Sequence, residues 1–282
     1  MILTGTKRAT VLLGTLAMLA ALAWGPAAEA AVVTLTTADG SGADAQILKR
    51  SNNGGTTIDD TDTNAGDDDR IGVRTYDGGN TQRFDAVFLR FDVSGYVSGS
   101  FTGDTTLGLT KWRDDESGLD FQIYGLDDGL DNWIEGDGGT DDNPTGELTF
   151  SNAPGIDQSA GYPPNPVTNV IDTNEASSIG TWSGFTGDEG DELTFTSSDL
   201  TTFLNEDSDG LVTLILLRDH TTSTGGFDDF TSKEATQTDT GVLSGEAGDF
   251  APSLTFDATI PEPATLALLA FGGLGALARR RR

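Results

Sequence analysis

Apolar and polar residues alternate with a period of two over several short stretches of this chain, the pattern of strands that bury one face. The clearest stretch is residues 86–93, where Val87, Leu89, Phe91 and Val93 fall on one face and Phe88, Arg90 and Asp92 on the other. Residues 119–124 repeat it, with Leu119, Phe121 and Ile123 inward and Asp120, Gln122 and Tyr124 outward. Shorter alternations at Leu107/Leu109, Leu148/Phe150, Leu193/Phe195 and Leu254/Phe256 predict further strands. The run 211–217 is nearly all apolar, which predicts a central strand covered on both faces. Glycine-rich turns separate these segments at Asp77-Gly78-Gly79-Asn80, Asp128-Gly129, Asp137-Gly138-Gly139 and Gly225-Gly226. One helix is predicted where Ser198 caps a segment whose Leu200, Phe203 and Leu204 share a face.

Two loops are long: residues 58–69 are dominated by Asp, and residues 154–178 contain Pro163, Pro164 and Pro166. Loops of that length are functional, ordered by metal, or disordered. Many short strands with no strand-helix-strand rhythm predict an all-β fold, a β-sandwich of jelly-roll type with long acidic loops and one short helix. A single domain over residues 31–259 accounts for all of these elements. It is flanked by an N-terminal signal helix and a C-terminal hydrophobic helix.

The two flanks carry targeting patterns. Lys7 and Arg8 precede an apolar stretch over residues 9–24 and the small-residue site at Ala28 and Ala30, the arrangement of a secretory signal peptide cleaved after Ala30. At the other end Pro261, Glu262 and Pro263 precede an apolar run over 264–278 and the cluster Arg279, Arg280, Arg281 and Arg282. Fifteen helical residues rise about 22 Å, less than the ~30 Å hydrocarbon core, so this segment suits a transient hold on the inner membrane better than a permanent span. In this order the pieces resemble the PEP-CTERM tail of Gram-negative bacteria. That resemblance implies export, membrane tethering before sorting by an exosortase-type enzyme, and a destination at the cell surface or in an extracellular matrix.

Composition sharpens the picture. The chain has 16 Lys+Arg against 45 Asp+Glu, a formal charge of −29. Six of the basic residues belong to the targeting flanks, so the exported body holds 10 basic and 43 acidic residues and carries −33. A surface this negative repels phosphate backbones, which excludes nucleic acid as a partner. Of the 43 acids 34 are Asp, the turn former and short-armed ligand of hard cations, so the excess points to Asp-bearing turns, a saline habitat, or bound Ca2+. No Cys is present, so disulfides, thiolate metal sites and Cys nucleophiles are excluded.

Candidate chemistry is sparse. His220 is the one imidazole, next to Asp219 after the apolar strand, and no G-x-S-x-G nucleophile motif occurs. Carboxylate pairs are too numerous to identify a glycosidase or lyase, with Glu135 beside Trp133 the most suggestive. Asp60, Asp62, Asn64 and Asp67 alternate in the acidic loop and form the candidate site for Ca2+ as a structural ion, set against a merely solvated acidic turn. The loop is not an EF-hand, because Ala65 stands where Gly is needed and Ile71 where the bidentate Glu would be. Trp112 lies between Lys111 and Arg113, a basic pair beside an aromatic ring in an acidic chain. Lys111, Trp112 and Arg113 are the candidate carbohydrate-binding residues, the ring stacking on a sugar face and the cations pairing with uronate carboxylates, provided the strand alternation turns Trp112 outward.

The body also resembles a family. Asn64-Ala65-Gly66, VFLRFDVSG at 87–95, DDGLDNWIEG at 127–136, LTFSNAPG at 148–155, TSKEA at 231–235 and APSLTF at 251–256 occur in the order seen in DNRLRE-type β-jelly-roll domains, which are similar to alginate-binding carbohydrate-binding modules. Phe150 stands where that family usually has Trp, and the loops at 114–118 and 162–178 are expanded. The resemblance implies a non-catalytic, polysaccharide-binding jelly roll, in which Trp133 and Glu135 mark the fold. The competing readings are a purely structural or adhesive matrix protein and a polysaccharide lyase or hydrolase.

Overall fold

The computed structural model describes residues 30–52, 65–77, 81–96, 99–113, 119–136, 146–159, 170–218 and 228–259. Residues 32–258 form one compact unit, an all-β sandwich of two antiparallel sheets whose strand layout fits a jelly roll. The smaller sheet runs in the order β1 (Ala30–Thr36), β11 (Ser253–Thr259), β5 (Phe101–Thr110), β8 (Glu192–Ser197). The larger one follows the order β10 (Asp228–Thr231), β3 (Arg70–Asp77), β4 (Thr81–Asp92), β9 (Leu211–Arg218), β6 (Leu119–Leu126), β7 (Ala176–Phe185), with β2 (Ala43–Asn52) also paired to β4.

β4 is the hub of the larger sheet. β2 pairs with it from Ala43↔Arg90 to Asn52↔Thr81. Its other flank is shared end to end, β3 taking Gln82 to Asp85 and β9 taking Val87 to Asp92. The predicted alternation holds here: Val87, Leu89, Phe91 and Val93 enter the core between the sheets. The opposite face is buried as well, because Phe84, Ala86 and Phe88 join a second core on the outer side of the same sheet. β9 shows why its sequence is apolar throughout, with Val212, Leu214 and Leu216 in the first core and Ile215 and Leu217 in the second.

The second core corrects two expectations. Tyr124, expected outward, is buried in it. Leu148 and Phe150 form no strand; they lie in an irregular layer that covers the sheet together with Trp133, Ile156, Val170 and Ile171. Phe150 meets Phe84 edge-on at 5.8 Å, so it serves as a core aromatic.

Helix α1 (Ser198–Glu206) starts one residue earlier than expected: Ser197, not Ser198, is the N-cap, and its hydroxyl accepts from Asp199 N at 3.0 Å. Leu200 and Leu204 enter the inter-sheet core, and Asn205 clamps β5 by accepting from Phe101 N at 3.1 Å and donating to Phe101 O at 3.0 Å. Among the described residues no helix is long and apolar enough to cross a membrane. Ala30 opens β1; Ala28 and the tail residues Pro261 to Pro263 and Arg279 to Arg282 lie outside the described residues.

Phe88→Ala is expected to cost about 3–5 kcal/mol in urea unfolding, since the ring is fully buried against Trp133. Val242→Ala, at a side chain 62% exposed, is expected to stay within about 0.5 kcal/mol.

Candidate functional site

Basic residues are scarce in the body, yet four of the ten gather at one end of the larger sheet. β3 supplies Arg70 and Arg74, β4 supplies Arg83, and Arg113 follows β5. Asp229 of β10 accepts ion pairs from Arg70 and Arg113, each at 2.5 Å, and Arg83 holds Asp85 at 2.7 Å. Asp229 opposes Gly72 in the β10/β3 ladder, and a Cβ there would come within 2.2 Å of the Asp229 carboxylate, so glycine is what admits the acid. Burial, and then the neighbouring Arg83, push the Arg74 guanidinium down to about 10, which leaves it charged at neutral pH.

Trp112 is the aromatic member of this group. Its ring centroid lies 5.1 Å from the Arg70 guanidinium and 5.7 Å from that of Arg113. The backbone around it is fixed, Trp112 N donating to Asp229 O at 3.0 Å and Asp239 N donating to Trp112 O at 2.8 Å. The side chain is half-buried rather than freely exposed. Lys111 requires a correction: it is fully buried, and its backbone bridges to Phe230. The parity that carries Leu107 and Leu109 inward carries Lys111 inward too, so the exposed cation beside Trp112 is Arg70, which the sequence placed forty residues away. Trp133 and Trp182 are core residues. The side chain of Tyr76, the whole of Tyr162 and His220 lie outside the described residues.

A second constellation sits under the start of β3. Asp44 is fully buried; its carboxylate accepts from Thr37 Oγ1 at 2.5 Å and from Lys233 N at 3.1 Å. Glu135 accepts from Asp44 N at 2.7 Å and from the Lys233 ammonium. Glu234 lies 3.7 Å from the same ammonium. A Cβ on Gly66 would clash with Glu135 O, so the chain at Gly66 needs glycine to lie on this group. Carboxylate oxygens of Asp44, Glu135 and Glu234 fall within 4.8 Å of one another, close enough to hold a cation, and the side chain of Lys233 already occupies that role. Burial pushes Asp44 up to about 7; burial and then the charge of Glu135 push Glu234 up to about 7. This latch joins Gly66, the Trp133 to Glu135 stretch and the Ser232-Lys233-Glu234 turn, which are far apart in sequence.

The expected Ca2+ ligands Asp60, Asp62 and Asn64 lie outside the described residues, and Asp67 is exposed. The structure instead gathers a further group, Asp128, Asp207 and Asp209, with oxygens within 4.8 Å. Its signal in the sequence is the pair of short acidic turns Asp127-Asp128-Gly129 and Asp207-Ser208-Asp209-Gly210, eighty residues apart and joined only by folding.

Residues 259–282 match the PEP-CTERM protein-sorting motif. The tail marks an exported protein of a Gram-negative bacterium, held at the membrane before an exosortase-type enzyme sorts it. No match to a DNRLRE-type or carbohydrate-binding family accompanies it. No curated protein is significantly similar to the chain.

Lys233→Met leaves the latch carboxylates without their cation and is expected to cost about 3 kcal/mol at pH 7.5 in urea unfolding. A carboxyl whose folded pKa is raised keeps its proton to higher pH in the folded than in the unfolded chain. Stability from Asp44 and Glu234 therefore falls as pH rises from about 4 to about 7, and the deficit of the variant is expected to shrink at pH 5.

Proposed function

We propose that the exported body is a non-catalytic module of the cell surface or extracellular matrix that associates with extracellular polysaccharide, uronate-bearing chains foremost. The observation that carries this reading is the Trp112 ring flanked by the guanidiniums of Arg70 and Arg113 at 5.1 and 5.7 Å. An indole face stacks on the apolar face of a pyranose, and a guanidinium pairs with a carboxylate through two parallel hydrogen bonds. Asp229 preorganises both arginines, two guanidiniums sharing one carboxylate while Asp68 also acts on Arg70. Arg70 keeps 42% of its side chain exposed, enough to meet a ligand.

The body's −33 charge opposes any polyanion at long range. At ionic strengths of 0.15 M and above the Debye length is about 8 Å or less, which confines that repulsion and leaves the contact at Trp112 to decide. The non-catalytic reading is supported by Glu135, the acid best placed beside an aromatic residue, being committed to the latch with Asp44 and Lys233. The resemblance of its ordered motif pieces to DNRLRE-type modules, which are similar to alginate-binding modules, points the same way.

Residues 31–259 are expected to bind uronate glycans on an array at 0.15 M salt, and both Trp112→Ala and Arg70→Ala are expected to weaken binding at least tenfold. Absence of binding across uronate and neutral glycans would leave the purely structural or adhesive matrix protein as the reading. Release of reducing ends or unsaturated uronates would replace the module by a hydrolase or lyase.

A further inference from the structure

Helix α1 ends against an unusual concentration of negative charge. A helix C-terminus carries partial negative charge on its unpaired carbonyls and ordinarily attracts Lys or Arg. The last turn of α1 has no basic residue, its C-cap is Asp207, and Asp209 follows two positions later. The turn after β6 brings Asp128 and Asp131 to the same place. Asp127, Asp128, Asp131, Glu206 and Asp207 line a cleft of about 360 Å3 there.

Two of these carboxyls are buried with an unpaired oxygen. Asp131 is 1% exposed and Asp207 8%, and Oδ1 of each is shielded from solvent and accepts no hydrogen bond. Each is held by its remaining contacts: Asp207 Oδ2 accepts from Gly210 N at 3.0 Å, and the Asp131 carboxyl is hydrogen-bonded to the Thr213 side chain, whose Oγ1 accepts from Trp133 Nε1 at 3.1 Å. The exposed members are shaped by the same turn, with Ser208 donating to Asp128 through both its amide and its hydroxyl, and Leu211 N donating to Asp209 at 3.0 Å. Asp209, Asp207 and Asp128 act on Asp131 with like charge; the one cation facing it is Arg90, whose guanidinium is spent on the backbone carbonyls of Ser41, Asp131 and Trp133. A buried carboxylate with a free oxygen and like-charged neighbours is costly unless a proton or a cation neutralises it; burial pushes Asp131 up to about 7 and Asp207 up to about 6, so near and above neutral pH a cation takes that place. The Asp44 group differs because Lys233 already sits in it.

We propose that this cleft is a Ca2+ site, with Asp128, Asp207 and Asp209 as ligands and Asp131 completing it from below. All donors are carboxylate oxygens, which suits a hard cation, and neither nitrogen nor sulfur is offered for a transition metal. Metal–oxygen bonds of about 2.3–2.6 Å span oxygens that lie within 4.8 Å of one another. The ion ties the end of α1 and the entry to β9 onto the turn after β6, and through Asp131, Thr213 and Trp133 it braces the irregular layer on the outer face. This site uses none of the residues of the Asp60 to Asp67 loop or of the Trp112 group, and its test involves no glycan.

The purified full chain, stripped with EDTA, is titrated with Ca2+ alone while its Tm is followed. A rise of about 5–10 °C is expected at a hundredfold excess over Kd, with Mg2+ at equal concentration giving less than half of it. Asp128 and Asp209 are exposed, so Asp128→Asn and Asp209→Asn are expected to fold; their Tm in EDTA should equal or exceed that of the parent, because repulsion is relieved, while Ca2+ affinity drops at least tenfold. No Ca2+-dependent shift in the parent chain would overturn the proposal. So would a shift that survives in both variants, or one that is lost in Asp60→Asn/Asp62→Asn instead.

Discussion

Burial of both faces of the larger sheet is the constraint from which the rest of this structure follows. A strand with one wet face needs only alternation, whereas β4 and β9 must find apolar partners on two sides. On the inner side the smaller sheet and α1 supply them. On the outer side the cover comes from a layer without regular strands, and such a layer brings backbone polar groups that must be paired. Arg90 does much of this, donating to Ser41 O at 2.8 Å, Asp131 O at 2.8 Å and Trp133 O at 2.6 Å while its guanidinium lies 4.6 Å from the Trp133 ring centroid. One cation on the hub strand thus fastens the turn after β6, and with it Asp131, Trp133 and Glu135.

The charge of the body follows from how its turns are made. Asp39 accepts from Thr36 N at 2.7 Å, Asp157 from Ser159 N at 2.8 Å, Asp172 from Asn174 N at 2.9 Å and Asp191 from Asp188 N at 2.9 Å. In each the short carboxylate stands in for a backbone partner two or three residues away, a geometry Glu reaches less well. Much of the 34 to nine excess of Asp over Glu is therefore turn chemistry. The few cations are placed where acids must be buried: Lys233 among Asp44, Glu135 and Glu234, and Arg70 and Arg113 on Asp229. The cleft at the end of α1 is where the acids outnumber what the chain's own cations cover.

Local pattern carried the parts of the fold whose partners lie close in sequence or whose faces differ in polarity. The strands over β4, β5, β6, β8, β9 and β11, the helix and the turn at Asp128-Gly129 were legible because alternation and capping are local physics; the glycine turns expected at 78–80, 137–139 and 225–226 lie outside the described residues. β2, β3, β7 and β10 were not: Asp44 and Gln46 interrupt β2, Ser and Gly dilute β7, and β10 has only four residues, so their strand state depends on ladder partners supplied by β4, β6 and β3. Leu148 and Phe150 show the reverse failure, since spacing of two also suits a loop that drops side chains into a core.

The sites divide along the same line. The amino-acid sequence alone settled export and sorting, because the tail is a contiguous signal read by order, and it settled the sign of the surface charge and the absence of thiol chemistry. It pointed to Trp112 but paired it with Lys111, where strand parity turns the lysine into the core. Which arginines flank the indole, which carboxyls share Lys233, and which aspartates meet at the end of α1 were decided only by tertiary structure. Each of those groups joins residues at least forty positions apart, and a residue's electrostatic neighbours are set by distance in space, a quantity that strand order and sheet stacking determine and chain order does not.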